Sequence, residues 1–193
     1  MTESTPPSSS IAKTLSHELW DFIKILIISV VIVVPVRYFV AQPFIVKGAS
    51  MEPTFQEKNY LVVDELSYYF RGPERGEVAV FRFPLDPSEY FIKRVIGLPG
   101  ETVKITGGKV YVSKKPVDKG SPMSEPYLPP DLETMGEVTQ TLGPDEYFVM
   151  GDNRVASLDS RRWGVLPRAN ITGRVVFRAW PINELGVVSY TAY

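Results

Sequence analysis

Hydrophobic and polar positions divide the chain near residue 43. Residues 1–12 are rich in Ser, Thr and Pro, which suits disorder, whereas residues 25–36, ILIISVVIVVPV, are almost wholly apolar. That run alone is short for a membrane span, which needs about 20 residues. Extended over residues 20–42 it is long enough, with Lys24 and Arg37 near its ends, where long cations snorkel. Trp20, Phe22, Tyr38 and Phe39 suit interfacial aromatic belts. The pattern predicts a disordered tail over residues 1–19, a transmembrane anchor helix over 20–42 and a β domain over 43–193. A buried core segment and the apolar stretch of a cleaved signal peptide are the alternatives for the run. Cleavage after Ala41 would put Phe39 at −3 and Pro43 at the next position but one, which disfavours it. Flanking charge does not orient the span, since Lys13 and Lys24 lie before it and Arg37 and Lys47 towards and beyond its end.

Beyond residue 50 the periodicity shortens to two. LVVDEL (61–66), EVAVFRF (77–83) and EYFIKRVI (89–96) are rich in β-branched and aromatic residues and are separated by RGPERG, PLDPS and GLPGE. KITGGKVYVS (104–113) reads as a hairpin about Gly107-Gly108. Residues 114–142 are Pro-rich with scattered charges and read as an exposed, irregular insertion. EYFVMGDN (146–153) returns to strand, and GRVVFRAWP (173–181) supplies the last one. The expected fold is mainly β, an antiparallel, barrel-like sheet behind one N-terminal transmembrane helix.

Composition narrows the chemistry. The chain has 193 residues, 44 % hydrophobic, and a net charge of −1, so no basic excess points to nucleic acid. It has no cysteine, which removes disulfides, thiolate zinc sites and a cysteine nucleophile. Its one histidine, His17, precedes the apolar run. If that run spans a bilayer, His17 and any site in the β domain are on opposite sides, so a Ser-His-Asp triad is excluded. A histidine metal site is disfavoured for want of ligands, and no metal or organic cofactor is expected.

Two residues carry candidate chemistry. Ser50 sits in a tight small-residue turn, KGASMEPT (47–54), where Gly48 and Ala49 let a partner's backbone approach. Lys93 lies 43 positions later in an apolar strand. A serine hydroxyl needs a base, and a lysine is a base only when neutral, a state that apolar burial favours. Strand alternation puts Phe91, Lys93 and Val95 on one face and Ile92, Arg94 and Ile96 on the other. Arg94, always charged, would lower the lysine pKa further by repulsion if close. A turn-forming serine and a solvated lysine are the plain alternatives. GDNRVASLDSRRWG (151–164) is either a loop that supports a site, with Asp159 and Arg161 as a charge pair, or an Asx-rich surface loop.

As an ordered set, these segments resemble the type I signal peptidases, membrane-bound serine–lysine proteases. The resemblance runs through the apolar anchor, PFIVKGASMEPT, RGEVAVFRFP, FIKRVIGLPGE, GDNRVASLDSRRWG and GRVVFRAWP. It implies that Ser50 attacks the scissile carbonyl, that Lys93 is the general base, and that the Ser50 backbone N–H holds the oxyanion. Where some members have a second hydroxyl donor two residues before the nucleophile, this chain has Gly48. Ser157 matches the serine that orients the lysine amine, and Asp159 with Arg161 the supporting charge pair. Asp152 and Arg154 belong to the same segment with less definite roles. Phe44, Val46, Met51, Phe55, Val80 and Ile92 match positions lining shallow pockets for small residues at −1 and −3.

The resemblance further implies signal peptides of exported preproteins as substrate and the lipid bilayer as partner, with no nucleic acid and a monomeric enzyme. It implies a single-pass protein of the plasma (inner) membrane, with a cytoplasmic N-terminus and an extracytoplasmic catalytic domain. Two rivals remain: a serine–lysine protease with one dedicated substrate, and a catalytically inactive anchored β domain that binds exported chains.

Overall fold

The computed structural model describes residues 8–35, 42–114 and 121–190, as two compact units divided after Val40. Residues 1–7 of the expected tail and residues 36–41, with Tyr38 and Phe39, lie outside the described residues, as do 115–120 of the insertion.

The first unit is helix α1, Ser8–Pro35. It starts well before Trp20, so much of the expected tail is helical. Ile11, Leu15, Leu19 and Phe22 recur at steps of four and three, a helical period that a Ser-rich start does not mask. Side chains are described from Glu18 to Val33, and the large apolar ones from Ile25 to Val33 are exposed. Asp21 and Lys24 pair at 2.7 Å, one turn apart. Among the described residues, no helix is long and apolar enough to cross a membrane.

The second unit is mainly β and antiparallel. Its strands are β1 (Gln42–Ile45), β2 (Tyr60–Asp64), β3 (Val78–Phe83), β4 (Asp86–Gly97), β5 (Thr102–Thr106), β6 (Lys109–Ser113), β7 (Val138–Thr141), β8 (Glu146–Met150), β9 (Leu166–Pro167), β10 (Ile171–Trp180) and β11 (Gly186–Val187). Two one-turn helices, α2 (Ser67–Phe70) and α3 (Ser160–Trp163), sit in connections. Gln42, the expected last residue of the anchor, opens β1.

The large sheet runs β1–β2–β10–β3–β4–β8–β9, with β11 beside β10. β1 and β4 are four strand spacings apart along it, about 19 Å if flat. Yet the Phe44 and Tyr90 rings, from these two strands, are 5.5 Å apart. The sheet therefore curls enough to bring side chains of β1 and β4 together. β3 is central and buried on both faces: Val78 and Val80 join one core with Val46, Met51, Phe55 and Val63, and Ala79 and Phe81 join another with Val95, Val149 and Leu166.

The small sheet, β6–β5–β7, packs on the large one through Ile96, Val103, Ile105, Phe148 and Met150. Gly107 and Gly108 close the expected β5–β6 hairpin, both at positive φ (55° and 75°), which glycine adopts without Cβ strain. The insertion departs from the irregular reading. It contributes β7, bridges Pro122 to Tyr111, and buries Thr134, whose N–H donates to Gly108 O.

Candidate active site

The turn after β1 sets Ser50 at the rim of a core. Met51 and Phe55, one turn apart and joined by Phe55 N–H to Met51 O at 2.9 Å, are fully buried and anchor the turn from below. The Ser50 carbonyl accepts from Asn153 N–H at 3.1 Å, and Thr54 Oγ1 donates to Asp152 Oδ2 at 2.6 Å. The late segment therefore grips the serine turn on two sides. Gly151 makes this approach possible, because a Cβ there would fall 2.3 Å from Ser157 Oγ and 2.4 Å from Ser50 O.

β4 delivers Lys93. It pairs with Ala79 of β3, and its side chain is buried, with the amine over the Phe91 ring at 5.3 Å. Lys93 Nζ lies 2.8 Å from Ser50 Oγ and 2.8 Å from the Ile92 carbonyl oxygen. No carboxylate among the described residues touches it. Burial pushes its pKa down to about 8, against the opposing pull of Asp159 and Asp152. A serine hydroxyl and an amine able to be neutral near physiological pH thus share one hydrogen bond.

Arg94 lies on the face opposite Lys93, as strand alternation predicts, and does not supply the repulsion considered for it. There its Nε and Nη2 bind Asp152 at 2.8 and 2.5 Å and Nη1 binds Gly76 O at 2.7 Å. Its charge is matched by a carboxylate, and it is not among the groups that shift Lys93. Asp159 accepts from Arg161 Nε and Nη2, both at 2.8 Å, and from Gly151 N–H at 3.1 Å. Burial would raise the Asp159 pKa, but the Arg161 hydrogen bonds and charge outweigh it and hold the carboxyl below the usual range. Ser157 is buried against the same Gly151. Its hydroxyl has no partner in good hydrogen-bond geometry, although it is close enough to Asp159 to help lower that carboxyl's pKa.

A cleft of about 670 Å³ opens from the Ser50–Lys93 contact along β1 and β4. Phe44, Val46, Val80 and Ile92 line it as expected. Met51 and Phe55 do not; they are core residues under the serine turn. Leu61 and Tyr90 line it as well and were not singled out. Tyr90 shares a strand face with Ile92, and Leu61 stands opposite Phe44 in register, so alternation and pairing were the available signals. Both walls are open strand edges. β1 ends the sheet, and β8 covers β4 only from Arg94 to Gly97.

Residues 19–180 match the family described as signal peptidase, peptidase S26. The chain belongs to this family. It is 42 % identical to a signal peptidase I of Leptolyngbya laminosa, over 96 % of this chain and 92 % of that protein. It is 36 % identical to a signal peptidase I of Bacillus amyloliquefaciens, over 86 % and 90 %. A crystal structure of a signal peptidase I from Enterococcus faecalis V583 aligns with 54 % of this chain and 97 % of that one, at 29 % identity and a TM-score of 0.45. As a member of the S26 family, the chain is a serine peptidase, a hydrolase of peptide bonds.

Proposed function

We propose that this S26 peptidase is a membrane-anchored signal peptidase that cuts preproteins after small-x-small motifs through a Ser50–Lys93 dyad. The observation that carries the reading is the 2.8 Å contact of Ser50 Oγ with a buried lysine amine at the head of an apolar cleft. Neutral Lys93 takes the Ser50 proton as Oγ bonds to the scissile carbonyl carbon. The oxyanion meets the Ser50 N–H, which no acceptor among the described residues occupies. Collapse breaks the C–N bond, and Lys93 returns its proton to the departing amine, leaving the acyl-enzyme. Water, deprotonated by Lys93, then releases the acid and restores Ser50. Family resemblance assigns Ser157 to orienting the amine, and Asp159, fixed by Arg161, holds Gly151 and so the serine turn.

An extended peptide laid on the open edges of β1 and β4 presents alternate residues to one wall. Positions −1 and −3 then face Val46, Val80 and Ile92 together, which favours small side chains at both. Helix α1, with its exposed Ile25–Val33 face and an apolar sequence continuing through Val36, is read as the anchor. Family resemblance supports a single pass through the plasma (inner) membrane, the N-terminus cytoplasmic and the β domain outside. The same resemblance supports a monomer acting on signal peptides of exported preproteins.

The test is cleavage of a signal-peptide-bearing precursor by the detergent-purified protein. A new N-terminus after a small-x-small motif is expected, with none from Ser50→Ala. A folded wild type that cuts nothing would leave a binding domain as the better account.

A further inference from the structure

The insertion reaches the back of the active site. Arg154 is wholly enclosed, with its side chain 0 % exposed. Its Nε donates to Gly151 O at 3.2 Å, Nη1 to Glu125 Oε2 at 3.1 Å, Nη2 to Glu125 Oε1, and Nη1 also to Thr134 Oγ1. Tyr127 OH donates to the same Glu125 at 2.8 Å, and its ring lies 3.9 Å from the Arg94 guanidinium carbon. Glu125 and Tyr127 thus hold two arginines at once. One fixes the carbonyl of Gly151, whose Cα abuts Ser50 O and Ser157. The other is the strand neighbour of Lys93 and binds Asp152. Neither Glu125 nor Tyr127 lines the cleft.

We propose that Glu125 and Tyr127 form a clasp that positions the Ser50–Lys93 pair through Arg154 and Arg94. This rests on the peptidase reading above. A buried ion pair alone is a weak source of stability, and apolar packing would hold an insertion as well. What the charged pair adds is direction, since the guanidinium fork fixes where the Gly151 carbonyl points. A small displacement of Gly151 moves the Ser50 carbonyl and lengthens the hydrogen bond that makes the serine reactive.

The test compares full-length wild type with Glu125→Gln and Tyr127→Leu in the precursor assay, with active sites titrated so that only folded enzyme is counted. Both variants are expected to lose about 10- to 100-fold in kcat with KM little changed, because the cleft is untouched. The pH profile separates them. The charges nearest Lys93 are Asp159 and Asp152, backed by Arg161, Arg94 and Arg154. In Glu125→Gln, Arg154 keeps its charge, loses its carboxylate and draws on Asp152, so the neutral amine is favoured and the midpoint moves to lower pH. Tyr127→Leu changes no charge at that pH and leaves the midpoint in place. The midpoint does not depend on how much protein folds, so a poorly folding variant still reports. Should Glu125→Gln yield no folded enzyme, Tyr127→Leu decides on kcat.

Wild-type kcat in folded variants, or a loss confined to melting temperature, would overturn the clasp and leave the peptidase reading intact. A wild type without activity would overturn the peptidase reading, and the clasp with it.

Discussion

Glu77 and Lys93 are both buried ionisable groups, just before β3 and within β4, and the fold treats them in opposite ways. Glu77 receives Arg71, Arg174 Nη1 at 3.1 Å, Tyr68 OH at 3.0 Å and Glu74 N–H at 2.9 Å. Burial would raise its pKa, yet Arg71 and the other donors bring it below the usual value. Among the described residues Lys93 meets only a hydroxyl and a carbonyl, and its pKa falls because burial disfavours its charged form. The two carboxylates near enough to help it, Asp152 and Asp159, are each committed to an arginine. One region completes a charge to hold strands together. The other withholds partners so that an amine can be neutral. The difference separates a structural from a chemical use of burial.

The contrast breaks hardest at Lys93→Arg. A guanidinium remains charged and cannot accept the serine proton, so kcat is expected to fall by about 1,000-fold or more with the fold retained. A variant that cleaves near the wild-type rate would mean that the base is another group. The complementary change, Glu77→Gln, removes the buried carboxylate that Arg71 and Arg174 share and leaves Arg71 with Glu74 alone and Arg174 with Asp64 alone. Unfolding in denaturant should show a loss of about 3–5 kcal/mol, with kcat per folded molecule close to wild type. A smaller effect is expected from Lys93→Met, and its sign is opposite. The folded Lys93 pKa, about 8, lies below its ordinary 10.5, so between these values the unfolded chain binds more protons. The lysine therefore costs stability in full below pH 8, and that cost disappears as pH rises towards 10.5. Lys93→Met should be more stable than wild type at pH 7, by up to about 3 kcal/mol, and the gap should close at high pH. Equal melting curves at both pH values would show that the amine is not desolvated.

What was legible followed from local pattern. The Ser50 turn and the Lys93 strand each carry their signal within a few residues, and Gly107-Gly108 announces its own hairpin. The resemblance joined Ser50 to Lys93, and the geometry brings them within hydrogen-bond distance. What was not legible depends on residues far apart in the chain. Whether Arg94 came close enough to repel Lys93 was left open by the strand pattern, and its partner proves to be Asp152, 58 positions on. Met51 and Phe55 looked like pocket walls, yet only the packed sheet decides which side of a turn faces inward. β7, VTQT, is a short edge strand with alternate residues exposed, too weak a pattern to stand out beside the proline-rich stretch. Glu125 read as one more insertion charge, since nothing in its surroundings names Arg154.

The position of β10 sets when this enzyme can exist. The strand is the last long one in the chain, yet it lies in the middle of the sheet, paired with β2 on one side and β3 on the other. On the ribosome, Ser50 and Lys93 emerge long before the strand that joins the half of the sheet beside one to the half carrying the other. Until residues 171–180 insert, the β1–β2 pair beside Ser50 and the β3–β4 pair carrying Lys93 share no strand pairing, and long-range pairings of this kind form late. The Ser50–Lys93 contact is therefore framed on both sides only when nearly the whole domain has been made, so the order of synthesis times its completion.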